Sequence, residues 1–291
     1  MSTTATRILV TAASGQLGRL VIQKLVKTIP AKQVAAGVRN TGKAADLAAL
    51  GAAVVVADYT KPATLDAALA GIDRLLLISS SEIGQRAAQH KNAIDAAKRA
   101  GAKLIVYTSV LHADTSTLGL AEEHRQTEAA LRASGIPFVL LRNGWYTENY
   151  AASIPAALAH GTFFGSAGEG RISSAARADY AEAAVKVVAD AESHAGRIYE
   201  LAGDTSYTLS DFAAELSRQT GKEIPYKDLP EADYKGALLG AGLPEPVAAL
   251  ISDSDARAAK GALFDDSHQL SKLIGHATTP LAATIKAALA K

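Results

Sequence analysis

Residues 7–18 read Arg-Ile-Leu-Val-Thr-Ala-Ala-Ser-Gly-Gln-Leu-Gly. An apolar strand runs into a turn of small residues, and an amphipathic stretch begins at Gln16. This is the sequence form of a dinucleotide phosphate cradle, in which glycines let backbone N–H groups approach a pyrophosphate at a helix N-terminus. The turn spans Ala12, Ala13, Ser14, Gly15, Gln16, Leu17 and Gly18, with alanine where the first glycine of the usual run stands. At negative φ an alanine there costs little, and at positive φ it costs about 1 kcal/mol or more. Arg39 follows Gly18 by 21 residues, and no Asp or Glu lies between 31 and 45. An acidic residue at that place selects NAD, whereas arginine suits a 2′-phosphate, so the expected cofactor is NADP(H).

Outward from this turn, apolar runs at 7–11, 34–38, 53–57, 74–79, 103–108 and 137–141 alternate with helical stretches near 16–28, 43–50, 62–70, 84–100 and 119–134. Continuous runs such as Leu75-Leu76-Leu77-Ile78 suit strands buried on both faces of a parallel sheet. Gly101 and Gly135 fall just past two helices, and Pro62 sits in a first helical turn. The rhythm predicts an α/β fold, a Rossmann-type doubly wound parallel sheet over residues 1–155, with 176–205 returning to it. A smaller, mainly helical lobe is expected over 206–291 together with 156–175. The polar run 252–268 is expected to be a mobile segment.

The 291 residues suffice for a large core, and the net charge of +1 argues against nucleic acid. Without cysteine there is no disulfide, thiolate catalysis or Cys-based metal site, and the seven histidines show no metal-ligand spacing. No apolar run reaches about 18 residues without charge, so no membrane span is expected and a cytoplasmic protein is. Oligomeric state is left open. Gly37–Ala44 nearly matches a P-loop but lacks the Ser/Thr that holds Mg²⁺.

Ligands of open α/β sheets bind beyond the carboxyl ends of the strands. Those ends supply further cofactor candidates: Asp58 near an adenine or as a helix cap, Ser79, Ser80 and Ser81 near ribose and diphosphate, and Tyr107, Thr108 and Ser109 near the nicotinamide ribose. None of the nine tyrosines has Lys four positions on, so the Tyr-x-x-x-Lys acid of many reductases of this fold is missing. His124 and Glu128 share a helix face, either as an exposed pair or with His124 orienting the ribose or giving a proton. A simple ketone needs a proton as hydride arrives; a quinone yields a stabilised phenolate and can take its proton later. The acceptor is therefore expected to be a planar, conjugated small molecule. Five of the fifteen aromatics lie between 145 and 164, beginning with Trp145 and Tyr146, a density that suits walls for a flat ring or a packing core.

Gly15-Gln-Leu-Gly18, Val38-Arg39-Asn40, Leu77–Arg86, Tyr107-Thr-Ser109 with Leu111–Thr115, Leu141–Tyr146 with Glu148-Asn-Tyr150, Arg177-Ala-Asp-Tyr180 and Ser271–His276 together carry a family resemblance. The chain resembles the atypical short-chain dehydrogenases of the NmrA-like class, and among them the bacterial NADPH-dependent quinone oxidoreductase 2 group. The resemblance implies NADPH in a cleft and two-electron reduction of quinones. It maps the cofactor onto the turn, Arg39, 79–81 and the segment Asn143, Gly144, Trp145, Tyr146, Thr147 and Glu148. It places substrate near Trp145 and Tyr146, with Tyr150 and His112 as further candidates. Asn143 and His124 are the catalytic candidates, for orientation or hydrogen bonding. A triphenylmethane-dye reductase and an NADP(H)-binding redox sensor without turnover are the alternatives, and the missing Tyr/Lys pair disfavours a sugar-nucleotide epimerase.

Overall fold

Ile8–Val10, three buried apolar residues, form the first strand (β1) and lie between two parallel neighbours, β2 (Val34–Val38) and β4 (Arg74–Leu77). The computed structural model describes residues 6–290. With β3 (Ala53–Val56), β5 (Leu104–Val110), β6 (Phe138–Asn143) and β8 (Ile198–Leu201), these strands make a seven-stranded parallel sheet in the order β3-β2-β1-β4-β5-β6-β8. The two-stranded pair of β7 (Phe163–Gly165) and β9 (Tyr226–Asp228) is also parallel.

Parallel neighbours require crossovers. Helices α1 (Gln16–Thr28), α2 (Ala45–Ala49), α3 (Pro62–Leu69), α4 (Arg86–Ala100) and α5 (Ala121–Ser134) supply them. Helix α1 buries Leu17, Val21, Ile22 and Leu25, a single stripe at helical spacing. The sheet's core holds Leu9, Leu75, Leu77, Ile105, Tyr107 and Leu140 against Leu65, Leu69, Ile94 and Leu131 from the helices. Each such aliphatic side chain contributes about 1.5–3 kcal/mol by leaving water. Gly101, at φ 72°, ends α4 in the left-handed conformation expected of a C′ glycine. The chain order reverses between β1 and β4, which creates a switch point at their carboxyl ends. There Thr11 donates from its N–H (3.0 Å) and Oγ1 (3.1 Å) to the Leu76 carbonyl, and Ile78 N–H donates to Thr11 Oγ1 at 3.2 Å.

The chain forms two compact units. One holds the described residues up to Val110, with Glu123–Arg142 and Tyr180–Tyr199; the other holds Leu111–Glu122, Asn143–Asp179 and the described residues from Glu200 onward. The second unit contains α6 (Thr147–Ala151), α7 (Ile154–His160), the start of α8 (Arg177–Ala189), α9 (Leu209–Thr220), α10 (Glu231–Gly240), α11 (Glu245–Ala258), α12 (Gln269–Ile274) and α13 (Leu281–Leu289). Its aromatic core joins Phe163 and Phe212, whose ring centroids lie 4.9 Å apart. Thr208 and Asp211 form a reciprocal capping box that starts α9. The expectation of a mobile run at 252–268 is corrected in its first half, which is the last two turns of α11 with Ser252, Ser254 and Asp255 buried. Among the described residues no helix is long and apolar enough to cross a membrane.

Candidate functional site

The turn after β1 is held from both sides. Ala13 N–H donates to the Gly37 carbonyl at 3.0 Å, and Gly15 N–H donates to the Ala12 carbonyl at 2.9 Å. Ala12 has φ 49°, so the alanine sits in the left-handed region that glycine occupies more easily. A Cβ on Gly18 would overlap the Ala12 carbonyl oxygen and come within 2.7 Å of the Ala13 Cα, so only glycine lets α1 approach the turn. Gly15 caps α1 without a side-chain hydrogen bond, and no acidic residue lies in the first turn. The first backbone N–H groups of the helix therefore have no side-chain cap, and such a helix start, with its dipole, can accept an anion. Gly15 and Gln16 are exposed, whereas Leu17 and Gly18 are buried. Arg19 braces the turn through its Nε to the Ser14 carbonyl at 3.0 Å. Uncapped amides, a glycine-only contact and small residues fit the diphosphate of a dinucleotide.

Arg39 extends from the end of β2, 66 % exposed, and pairs with Glu82 at 2.5 Å. Asp58 accepts from Thr60 N–H (3.0 Å) and Oγ1 (2.8 Å) and lies 3.7 Å from Lys61 Nζ. Burial alone would raise the Asp58 carboxyl; the Thr60 hydrogen bonds and the charges of Lys61 and Arg39 outweigh it and hold it below the ordinary value. It does not cap α3, whose N-cap is Lys61. Tyr59, next in sequence, is buried with its hydroxyl 2.6 Å from Thr11 Oγ1 and from the Ile78 carbonyl, where it pins the switch point.

Ser79 N–H donates to Thr108 Oγ1 at 2.9 Å. Ser80 N–H donates to His90 Nε2 at 2.9 Å, and its Oγ to Gln89 Oε1 at 2.5 Å, while Ser81 is exposed. Because Nε2 of His90 accepts, its Nδ1 carries the proton and donates to Thr127 Oγ1 at 2.9 Å. Burial, followed by the charge of Arg86, pushes the His90 imidazole down to about 3. Tyr107, Thr108 and Ser109 are all buried; the Tyr107 hydroxyl meets His124 Nδ1 at 2.7 Å, and Ser109 Oγ donates to Glu128 at 2.7 Å. His124 and Glu128 are not the exposed pair that their spacing allows. Both are buried with separate partners, and Glu128 takes a two-pronged contact from Arg142 at 3.0 and 2.9 Å. Burial, with Arg86 and His90 nearby, holds His124 well below its ordinary range. That environment favours the neutral imidazole over the imidazolium.

In the second unit the candidates at 143–150 gather around α6. The Asn143 carbonyl accepts from Leu111 N–H at 2.9 Å, and its side-chain Oδ1 is buried with no hydrogen-bond partner among the described residues. Gly144 N–H donates to the Leu201 carbonyl at 2.7 Å. The rings of Trp145 and Tyr150 lie 6.4 Å apart, and the Tyr150 hydroxyl donates to Asp255 at 2.9 Å. The Arg177 guanidinium lies 4.8 Å from the centre of the Tyr146 ring. Thr147 Oγ1 bonds Ser174 Oγ at 2.7 Å, and Glu148 accepts from Arg177 N–H through both oxygens at 3.0 Å, which stabilises the start of α8. His112, at φ 52°, donates its N–H to Glu200 at 2.8 Å and holds its ring 3.4 Å from Asp265.

Gln89 and His90 were not singled out from sequence, and Glu82 and Tyr59 stood there only inside the Leu77–Arg86 stretch and beside Asp58, with no role of their own. The only available signal was their position just beyond, or one helical turn behind, the strand ends.

Residues 12–191 match the NAD(P)H-binding family. The chain is 59 % identical over 278 residues to quinone oxidoreductase 2 of Escherichia coli strain K12, covering 96 % of this chain and 97 % of that one. It superposes with a TM-score of 0.94 on the E. coli NADPH-dependent quinone oxidoreductase complexed with NADPH, at 58 % identity, over 97 % of this chain and 99 % of the other. It is also similar to the Citrobacter sp. triphenylmethane reductase complexed with NADP(H), with a TM-score of 0.92 at 38 % identity over 97 % and 99 % of the two chains.

Proposed function

The chain belongs to the NAD(P)H-binding family, and from that premise we propose that it carries hydride from NADPH to quinones or similar planar conjugated acceptors. The observation that carries this reading is the uncapped α1 N-terminus with Arg39 as the cation at the end of β2, in a chain 59 % identical over nearly its full length to a quinone oxidoreductase.

When bound, NADPH supplies the hydride. In this proposal the α1 amides hold its diphosphate, Arg39 faces the 2′-phosphate, and the 79–81 and 107–109 strand ends form the floor under the riboses. Thr11, Tyr59, His90 and Glu128 fix those strand ends from behind, so the binding groups are preorganised. Trp145 and Tyr146 offer aromatic faces to the acceptor, with Tyr150 backing Trp145, while Asn143 Oδ1 and His112 supply hydrogen-bonding groups. His124, held neutral, serves through its bond to Tyr107 in orienting β5, and the acceptor's proton comes later from water. An acceptor that tolerates delayed protonation suits such a site, which favours quinones over simple ketones. A cytoplasmic place of action belongs to the same proposal, since the reaction draws on NADPH.

Loss of NADPH absorbance on addition of a benzoquinone or naphthoquinone tests the reading, with NADH and a triphenylmethane dye in parallel. Quinone turnover with NADPH preferred over NADH supports it. NADPH binding without turnover of any acceptor overturns it in favour of a redox sensor, and faster dye than quinone turnover reassigns the acceptor.

A further inference from the structure

An acidic residue is missing from the end of β2, yet one stands there all the same. Glu82, from the loop after β4, places Oε1 2.5 Å from Arg39 Nη1. It is not a loose surface partner. Its second oxygen accepts from Gln89 Nε2 at 2.6 Å, its N–H donates to Ser80 Oγ at 3.2 Å, and Gln89 in turn accepts from Ser80 Oγ at 2.5 Å. Gln89 is buried on α4, so the carboxylate is held toward the guanidinium by a side chain that cannot swing away. Arg39, 66 % exposed at its side chain, is free to turn from Glu82 to an incoming anion.

We propose that Glu82 is a specificity-determining counterweight to Arg39: it occupies the guanidinium in the empty protein and opposes a 2′-phosphate in the bound one. This rests on the reading of Arg39 as the 2′-phosphate cation. A cofactor lacking that phosphate leaves the Arg39–Glu82 pair intact. One that carries it must displace the pair and sit beside a clamped negative charge. Glu82 therefore lowers the preference for NADPH over NADH and eases departure of NADP⁺. Glu82→Gln is the informative change, because the amide oxygen still accepts from Gln89 while the charge is removed.

Isothermal titration calorimetry of NADP⁺, NAD⁺ and 2′-AMP with wild type, Glu82→Gln, Glu82→Ala and Arg39→Ala tests the proposal. Glu82→Gln should tighten 2′-AMP and NADP⁺ by about three- to tenfold and leave NAD⁺ within about twofold, with the gain shrinking at high salt. Unchanged 2′-AMP affinity in both Glu82 variants, or equal tightening of NAD⁺ and NADP⁺, overturns it. Arg39→Ala separates the two claims: if it leaves 2′-AMP affinity unchanged, the Arg39 reading itself fails and the Glu82 proposal with it.

Discussion

A Cβ at Gly18 would overlap the carbonyl oxygen of Ala12, the residue that carries the turn's positive φ of 49°. The two positions therefore make opposite demands on a methyl group. At Gly18 it has no space; at Ala12 it has space but the wrong backbone conformation. Gly18→Ala should displace α1 from the turn, lower the melting temperature and weaken NADPH binding by at least about tenfold, a loss of about 1.4 kcal/mol. Ala12→Gly removes left-handed strain of about 1 kcal/mol against a similar gain of freedom in the unfolded chain, so stability should hold or rise slightly. NADPH affinity should be equal or better. Thermal melts and NADPH titrations of both variants check this, and a weaker-binding Ala12→Gly protein would show that the cradle is wrongly placed.

Glu128 and Arg142 form an ion pair with only 2 % and 5 % of their side chains exposed. With Ser109 they join β5, α5 and β6 at one point. Burial would raise the Glu128 carboxyl, but the Arg142 and Ser109 hydrogen bonds outweigh it and hold it low. Glu128→Leu leaves the guanidinium buried without its partner and should cost about 3–5 kcal/mol in urea unfolding. The double change Glu128→Leu with Arg142→Met should recover much of that loss. If the two losses simply add, the pair is not coupled as its geometry requires.

Most of the sheet was readable because strands such as β1, β4 and β5 are apolar runs followed by small polar residues, and because Gly101 and Pro62 mark helix ends by backbone chemistry alone. The cradle was readable for the same reason, since it is contiguous. What stayed hidden depends on partners far apart in sequence. Glu82 meets Arg39 across 43 positions, and Tyr59 meets Thr11 across 48. His90 sits among Gln, Lys and Asn in a helix that reads as polar, and only the turn of α4 onto the Ser80 amide buries it. The Ser-Asp run ending at Asp255 reads as solvated until Tyr150, 105 positions earlier, is placed against it.

His124 is buried and bonded to Tyr107, and burial holds its imidazole well below the ordinary histidine range. A histidine whose folded pKa is lowered costs stability as pH falls below its unfolded value of about 6.5, because only the unfolded chain takes up the proton. Turnover between about pH 6 and 8 should therefore show no limb from this residue. His124→Gln should lower stability at neutral pH, yet leave the shape of the kcat profile unchanged. A limb near pH 6.5 that vanishes in the variant would make His124 a proton donor after all.

Asp255, buried in the second unit, accepts from Tyr150 at 2.9 Å and from Ser166 N–H at 3.1 Å. Burial pushes its carboxyl up to about 6 from an ordinary 3.8, and the Ser166 and Tyr150 bonds offset this only in part. The folded state thus favours the protonated acid. Its contribution to stability is complete below about pH 4 and is lost as pH rises through about 6. Asp255→Asn keeps an acceptor for Ser166 N–H and can donate to the Tyr150 oxygen, while no charge has to be buried. The variant should be more stable than wild type by about 3 kcal/mol at pH 8, with the difference shrinking to less than about 1 kcal/mol near pH 4. Urea unfolding at the two pH values measures both numbers. An Asn variant less stable than wild type at pH 8 would mean that the ionised carboxylate is itself a stabilising acceptor for the Ser166 and Tyr150 donors, the reverse of the order given by its burial.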